Sequence, residues 1–286
     1  MPHRASATAR SVAFRDGAFT VTTRAVPAET AIAISVNGST HAVMMATPDL
    51  VEELGLGLAL NEGIVSRPDE IERIEVAQSD LGLDCRLWLT EARGATYVAR
   101  RRQMTGPVGC GLCGVESLEL ARRALPPVSS ALSVSPGAIA AAMAAMGGAQ
   151  ALGRETRAVH AASFHRAGQG MVAMAEDVGR HNALDKVTGL LARAGEDPSA
   201  GFIALTSRVS VELIQKAAAM GCGLVAAVSA PTQLAIAEAS ACGVTLVAVV
   251  RGAEFEIFTH FGRVEGAPQP AEPGRSPVPE DETRAA

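Results

Sequence analysis

Two thiols three residues apart define the chemistry open to this chain. Cys110 and Cys113 stand in the run Gly-Pro-Val-Gly-Cys-Gly-Leu-Cys-Gly, residues 106–114, the one close pair among five cysteines. Gly106, Gly109, Gly111 and Gly114 remove side-chain bulk around them, so the backbone there is free to adopt turns that other residues resist. A C-x-x-C pair has three uses: half of a zinc site, a dithiol redox switch, or a relay for sulfur atoms.

A second constellation lies downstream, Glu176-Asp177-Val178-Gly179-Arg180-His181-Asn182-Ala183-Leu184-Asp185-Lys186-Val187. It reads as a strand-to-helix turn, with Gly179 at the bend. His181 and Asp185 are four apart on one helical face, a spacing that lets them pair, while Lys186 reads as a solvated helix residue. Asp177, Arg180 and Asn182 add polar groups in excess of what a helix cap needs. Ser207, Arg208, Thr232 and Arg251 follow other strands. Taken singly, Ser207 and Thr232 are ordinary helix caps and Arg251 a solvated loop residue.

The elements that would carry these groups divide the chain in two. Residues 1–17 read as a flexible arm. From residue 18 to 124 short β-branched runs alternate with turns: 19–23, 31–36 before Asn37-Gly38, 41–45, 71–77 and 84–90. The Asn-Gly dipeptide predicts a hairpin. Thr47 and Pro48 read as cap and first residue of a helix over 49–60. This half is a small α+β domain ending in the cysteine loop, 105–114. Leu125-Pro126-Pro127 marks a linker, and 128–264 forms the second domain.

After an alanine-rich helix at 136–146 and a hairpin of 159–165 with 171–176, strands at 202–206, 224–228 and 244–250 alternate with helices at 182–194, 211–220 and 232–241; a last strand covers 254–258. Continuous apolar strands between helices predict a mostly parallel sheet covered on both faces. Ligands of such sheets bind beyond the carboxyl ends of the strands. Three of the loops there start helices, whose free N–H groups attract anions. Arg180, Arg208 and Arg251 gather at the same edge with the fork geometry suited to phosphate. The edge thus predicts a polyanionic ligand, most simply a nucleotide or pyrophosphate. The tail, 265–286, is rich in Pro, Glu and Gly and reads as disordered.

Whole-chain properties narrow the field. Net charge is −5, from 25 basic and 30 acidic residues, and aromatics are 3%; neither a basic field nor stacking platforms favour nucleic acid. The amino end lacks the apolar core of a secretory signal. The most apolar stretch, 223–250, is broken by Ser229, Pro231, Gln233 and Glu238, short of the ~18 uninterrupted residues of a membrane span. A cytoplasmic location is expected, with no membrane partner. An odd, scattered cysteine count argues against a disulfide framework.

These residues together resemble a known family. The run 176–189, the Gly-Cys-Gly-Leu-Cys-Gly loop, Thr206-Ser207-Arg208, Ser35-Val36-Asn37-Gly38, Met45-Ala46-Thr47-Pro48 and Asn61-Glu62-Gly63-Ile64 are similar to the formate dehydrogenase accessory sulfurtransferases, FdhD, over about residues 20–264. The resemblance implies an α/β fold with a cytidine-deaminase-like three-layer C-terminal domain and a smaller α+β N-terminal domain. It implies a sulfur carrier that takes persulfide sulfur from a cysteine desulfurase and passes it to the molybdenum bis(molybdopterin guanine dinucleotide) cofactor, bound as substrate, for formate dehydrogenase. Cys110 would carry the persulfide, with Cys113 beside it. The cofactor-contacting stretch would be Phe258, Thr259, His260, Phe261, Gly262 and Arg263, joined by Asp177, Gly179, Arg180, His181, Asn182, Ser207 and Arg208. Homodimers are implied, and no permanent metal.

Two rivals remain at this point. A zinc hydrolase of the deaminase type needs H-x-E before P-C-x-x-C; Gly109 precedes Cys110, and no His-x-Glu occurs in the chain. A non-catalytic molybdenum-cofactor chaperone with structural zinc at the C-x-x-C would need two more ligands, from His160, His165, Cys222 or Cys242. Cys222, Cys242 and Cys85 read instead as small packing residues.

Overall fold

The structure, a computed structural model, describes residues 4–101, 125 and 127–269, without the side chains of residues 100 and 101. Cys110, Cys113 and most of the terminal tail therefore lie outside the described residues.

The chain opens with a hairpin, β1 Ser6–Arg15 and β2 Ala18–Pro27. Its first strand occupies what the sequence suggested was an arm. Asp16 and Gly17 both have positive φ, 51° and 79°, the requirement of a two-residue hairpin turn; Asp-Gly carries the same signal as Asn37-Gly38, whose φ values are 48° and 78°. That second turn joins β3 Thr30–Val36 to β4 Ser39–Ala46. After helix α1 Val51–Asn61 come β5 Ile71–Ser79, β6 Gly82–Leu89 and α2 Glu91–Arg101.

The four-stranded sheet runs β4-β3-β6-β5, with β3 and β6 parallel and the other pairs antiparallel. Period-2 alternation turns Ile32 and Ile34 of β3 and Leu83, Cys85 and Leu87 of β6 to one face, where Leu54 and Leu58 of α1 close the core.

In the second domain, α3 Pro136–Ala149 and α4 Ala151–Thr156 precede the hairpin β7 His160–Arg166 and β8 Gly170–Asp177. Then α5 Arg180–Ala194, β9 Gly201–Leu205, α6 Val211–Ala219, β10 Leu224–Ala227, α7 Gln233–Ala241, β11 Thr245–Arg251 and β12 Glu254–Thr259 alternate. The six-stranded sheet has the order β12-β11-β10-β9-β7-β8. Successive residues of the central strands serve opposite faces. Ile203, Leu205, Val225, Ala227 and Leu246 pack with Leu184, Leu213 and Ala235 of α5, α6 and α7. Phe202, Leu224, Ala226 and Val247 pack with Ile139 and Ala142 of α3. The result is three layers.

Strands β9, β10 and β11 are parallel; β7 is antiparallel to both β9 and β8, so β8 shares their direction, while β12 runs back along β11. The carboxyl ends of β8 to β11 thus meet at one edge, together with the start of β7. The end of β12 lies at the other.

The domains meet where α1 lies along α5. A Cβ built on Gly57 would fall 1.8 Å from the Asp185 carbonyl oxygen, and one on Gly189 2.1 Å from that of Glu53. The backbones touch, and only glycine allows it.

Candidate functional site

Lys186 is the most telling residue of the 177–187 run. Its side chain is fully buried, and its Nζ donates to Asp177 Oδ2 at 2.7 Å, Asp49 Oδ1 at 2.5 Å and the Thr47 carbonyl at 3.0 Å. The expectation of a solvated residue is overturned. Helical spacing accounts for this: Lys186 lies beside Ala183 and Val187 on the buried side of the helix, which faces the core. A buried ammonium must be fully paired, and three acceptors pair it.

Asp177, equally buried, accepts from Gly179 N at 2.7 Å and Asn182 Nδ2 at 3.0 Å on one oxygen, and from Thr47 N at 3.1 Å and Lys186 on the other. Asn182 also donates to the Met45 carbonyl at 2.9 Å, and Val178 N donates to Thr47 Oγ1 at 3.2 Å. The Thr47-Pro48 pattern predicts a cap for α1. The polar groups of Thr47 go to the second domain instead, so α1 starts later, at Val51, behind Leu50 with φ 48°. The side chains of Asp177 and Asn182 are therefore spent on joining the domains.

Asp185 does not pair with His181. It accepts from Lys216 Nζ at 2.8 and 2.9 Å and from Asn61 Nδ2 at 2.7 Å. Burial raises its pKa, partly offset by Lys216.

Arg180 and His181, on the first turn of α5, remain. The Arg180 Nε is buried with no hydrogen-bond partner among the described residues. A cation there also opposes the positive end of the helix dipole. His181 Nε2 lies 3.4 Å from Ser210 Oγ and 3.9 Å from Glu212 Oε2. Burial, then the charges of Arg180 and Lys216, push its pKa down to about 4. It is a neutral imidazole at pH 7. His160, opposite Asp177 across the β7–β8 pair, is lowered too, by burial and by Arg180. Burial works against Glu212, yet the Ser210 hydroxyl, its own backbone N–H, His181 and Arg180 hold it below the usual carboxylate value. Ser207 is buried and donates to the Arg208 carbonyl at 2.9 Å, while the Arg208 side chain is exposed. Thr232 is a plain cap, accepting from Ala235 N, and Arg251 donates to the Val228 and Val250 carbonyls.

The stretch 258–263 sits elsewhere. Thr259 pairs with Leu246 near the start of β11, while Glu254 pairs with Arg251 at its end. At ~3.3 Å per residue the two edges are about 20 Å apart, so the expected single surface does not form within one chain. Arg263 donates through Nη1 to the Gly243 carbonyl at 2.7 Å, through Nε to Ser130 at 3.2 Å and through Nη2 to Val128 at 3.3 Å. The buried Thr259 hydroxyl donates to the Val244 carbonyl and accepts from Leu246 N. His260, with φ 47°, meets the Ser240 carbonyl at 2.8 Å. Phe258 packs against the core, and Phe261 and Gly262 lie in a 3₁₀ turn.

Residues 27–265 match the model of the FdhD/NarQ family. The chain belongs to the FdhD/NarQ family. Among its relatives, the sulfur carrier protein FdhD of Agrobacterium fabrum is 51% identical over 253 residues, 88% of this chain and 93% of that protein. The FdhD of Brucella abortus is 47% identical over 254 residues, 88% and 94% of the two chains. A crystal structure from Desulfotalea psychrophila, described as a formate dehydrogenase accessory protein, superposes with a TM-score of 0.71 at 23% identity, covering 91% of this chain and 100% of that one.

In this FdhD/NarQ chain the three described cysteines are closed to chemistry. Cys85, Cys222 and Cys242 are buried, and burial above all pushes their thiols up, to about 12, 11 and 11. No three His, Cys, Asp or Glu side chains cluster to hold a metal among the described residues. His165 stacks on Phe202 and meets Ser163 Oγ at 2.8 Å inside the sheet. Sequence reasoning gave no role at this edge to His160, Ser210 or Glu212. The β7–β8 hairpin, which returns His160 beside Asp177, was the available signal.

Proposed function

We propose that this chain is a sulfur carrier of formate dehydrogenase maturation, a sulfurtransferase that works through a persulfide on Cys110. One observation supports the C-x-x-C pair as the carrier, and the resemblance to the family favours its first cysteine for the persulfide. Of five cysteines, three are buried thiols held at about 11 or 12, and nucleophilic sulfur must be thiolate. Cys110 and Cys113, flanked by glycines, are what remain. The sulfur carriers among its relatives support the reading.

Cys110 thiolate attacks the outer sulfur of a persulfide on a cysteine desulfurase; the donor cysteine leaves as thiolate and Cys110–S–SH forms. At delivery Cys113 thiolate attacks the inner sulfur, a Cys110–Cys113 disulfide forms, and HS⁻ departs towards the molybdenum of the bis(molybdopterin guanine dinucleotide) substrate. A cellular dithiol then reduces the disulfide.

Gly179, Arg180, His181, Ser207 and Arg208 would hold phosphate at one edge of the sheet, with Asp177 and Asn182 shaping that turn. Phe258, Thr259, His260, Phe261, Gly262 and Arg263 would contact the ligand at the other. The two arms of a bis-dinucleotide carry separate pyrophosphates, so contacts at both edges suit one ligand. Arg180 supports this, because its buried Nε has no partner among the described residues and a guanidinium matches phosphate oxygens. Homodimerisation and a cytoplasmic setting complete the proposal; no described helix is long and apolar enough to cross a membrane.

The test is mass spectrometry after incubation with a desulfurase and cysteine. A gain of ~32 Da, one sulfur atom, is expected on the Cys110 peptide. An adduct that survives Cys110→Ala, or none at all on the wild type, would sink the mechanism.

A further inference from the structure

We infer that Lys186 and Asp177 are positioning residues, which fix the first domain against the second so that sulfur, once loaded, can be delivered. The inference rests on the sulfur-carrier reading above.

Five hydrogen bonds cross between the domains here: Thr47 N to Asp177, Val178 N to Thr47 Oγ1, Asn182 to the Met45 carbonyl, and Lys186 to both the Thr47 carbonyl and Asp49. The N–H, carbonyl and hydroxyl of Thr47 are all taken by the other domain. Lys186 and Asp177 are each 0% exposed, while Asp49 opens to solvent at 41%. For stability alone such a pair is a poor choice, since apolar residues of the same volume often do as well. In some proteins a buried polar pair instead selects one geometry, and that is the role inferred for this one.

That geometry extends to α2, at the end of the first domain's described residues. Residues 45–49 continue directly from β4. On β4, His41 Nδ1 lies 3.0 Å from the Tyr97 hydroxyl of α2, and its Nε2 lies 3.0 Å from Glu62 at the end of α1. Helix α2 is the last described element before the segment that contains Cys110. Clamp, edge strand and α2 therefore form one connected path. Loading by a desulfurase needs Cys110 alone. Delivery needs Cys110 and a ligand on the second domain in one fixed relation. A loosened clamp should spare the first and impair the second.

The experiment uses the full chain with Lys186→Met, at a residue given no ligand contact; Asp177 keeps its bonds from Gly179 N, Asn182 Nδ2 and Thr47 N, so the ligand-side turn is intact. The α1–α5 contact through Gly57 and Gly189 remains in it. Persulfide loading of Cys110, by mass, should stay within about twofold of wild type. Maturation of formate dehydrogenase in cells lacking their own carrier should fall at least about tenfold. Hydrogen exchange at the Thr47 and Val178 amides should speed by about tenfold, with Ile203 and Ala204 in β9 unchanged. A parallel loss of loading and maturation would reduce the pair to a structural role and overturn the inference. Full maturation, or unaltered exchange at Thr47 and Val178, overturns it as well. Absence of loading on the wild type removes the sulfur-carrier reading instead, and the exchange measurement still decides whether the clamp exists.

Discussion

Replacing Gly57 by alanine should unlock the domain contact, and its cost can be worked from the crossing of α1 and α5. The new Cβ would lie 1.8 Å from the Asp185 carbonyl oxygen and 2.8 Å from Gly189 N. Real Cβ atoms do not approach other heavy atoms closer than 3.0 Å, so the helices must part by more than 1 Å along a backbone that has no rotamer to give. Overpacking of this kind costs roughly 1–3 kcal/mol, at the upper end when backbone is the obstacle. Alanine returns about 1 kcal/mol of helix propensity. The net loss is about 2 kcal/mol, or roughly 4–8 °C in Tm for a chain of this size. The control is Gly147→Ala in α3, where a Cβ meets nothing within 4 Å and stability should rise by up to ~1 kcal/mol. Thermal and urea unfolding of both variants tests the pair. Gly57→Ala at wild-type stability or above would refute the backbone-to-backbone contact.

Acid should weaken the fold through His181. Its folded pKa, about 4, lies below the unfolded 6.5, so its contribution is present above pH ~6.5 and lost as pH falls through 4, on the order of 2 kcal/mol after allowing for its partial exposure. His181→Asn should flatten the urea-midpoint profile between pH 7 and 4.5; an unchanged slope contradicts the assignment. Arg263→Met removes bonds that tie the Val128, Ser130 and Gly243 carbonyls together and should cost about 2–3 kcal/mol in urea unfolding, whereas Arg180→Met, losing no hydrogen bond at Nε, should cost less than about 0.5 kcal/mol while lowering affinity for guanosine diphosphate by calorimetry. Equal stability losses would undo that distinction. Cys85, Cys222 and Cys242 should resist iodoacetamide in the native protein and react in 6 M guanidinium, read by peptide mass; native labelling at any of them contradicts their burial.

Much of the fold was legible because its strands are short apolar runs between glycines and caps. The elements from β7 to β12 fall within a few residues of their expected bounds, since Gly168-Gln169-Gly170, Gly195 and Gly243 punctuate them. Strand order was less accessible. Nothing local tells that β7 inserts between β8 and β9, or that β12 folds back along β11 and carries His260 and Arg263 to the far edge. Those facts come from pairings between distant segments.

The site was legible in its residue types more than in their roles. The run from Asp177 to Lys186 stood out as chemistry, yet Asp177, Asn182 and Lys186 turn inward to Met45, Thr47 and Asp49, 130 to 139 positions away in sequence. A polar residue that joins domains and one that binds a ligand look alike until their partners are known. Thr47 shows the same ambiguity, with the pattern of a helix cap and the contacts of a domain joint.

The most direct test of the account is maturation by single-cysteine variants. In cells without their own carrier, Cys110→Ser should yield inactive formate dehydrogenase, while Cys85→Ser, Cys222→Ala and Cys242→Ala, where they fold, should restore activity to the wild-type level. Active enzyme from the Cys110→Ser strain would contradict the claim that this thiol carries the sulfur.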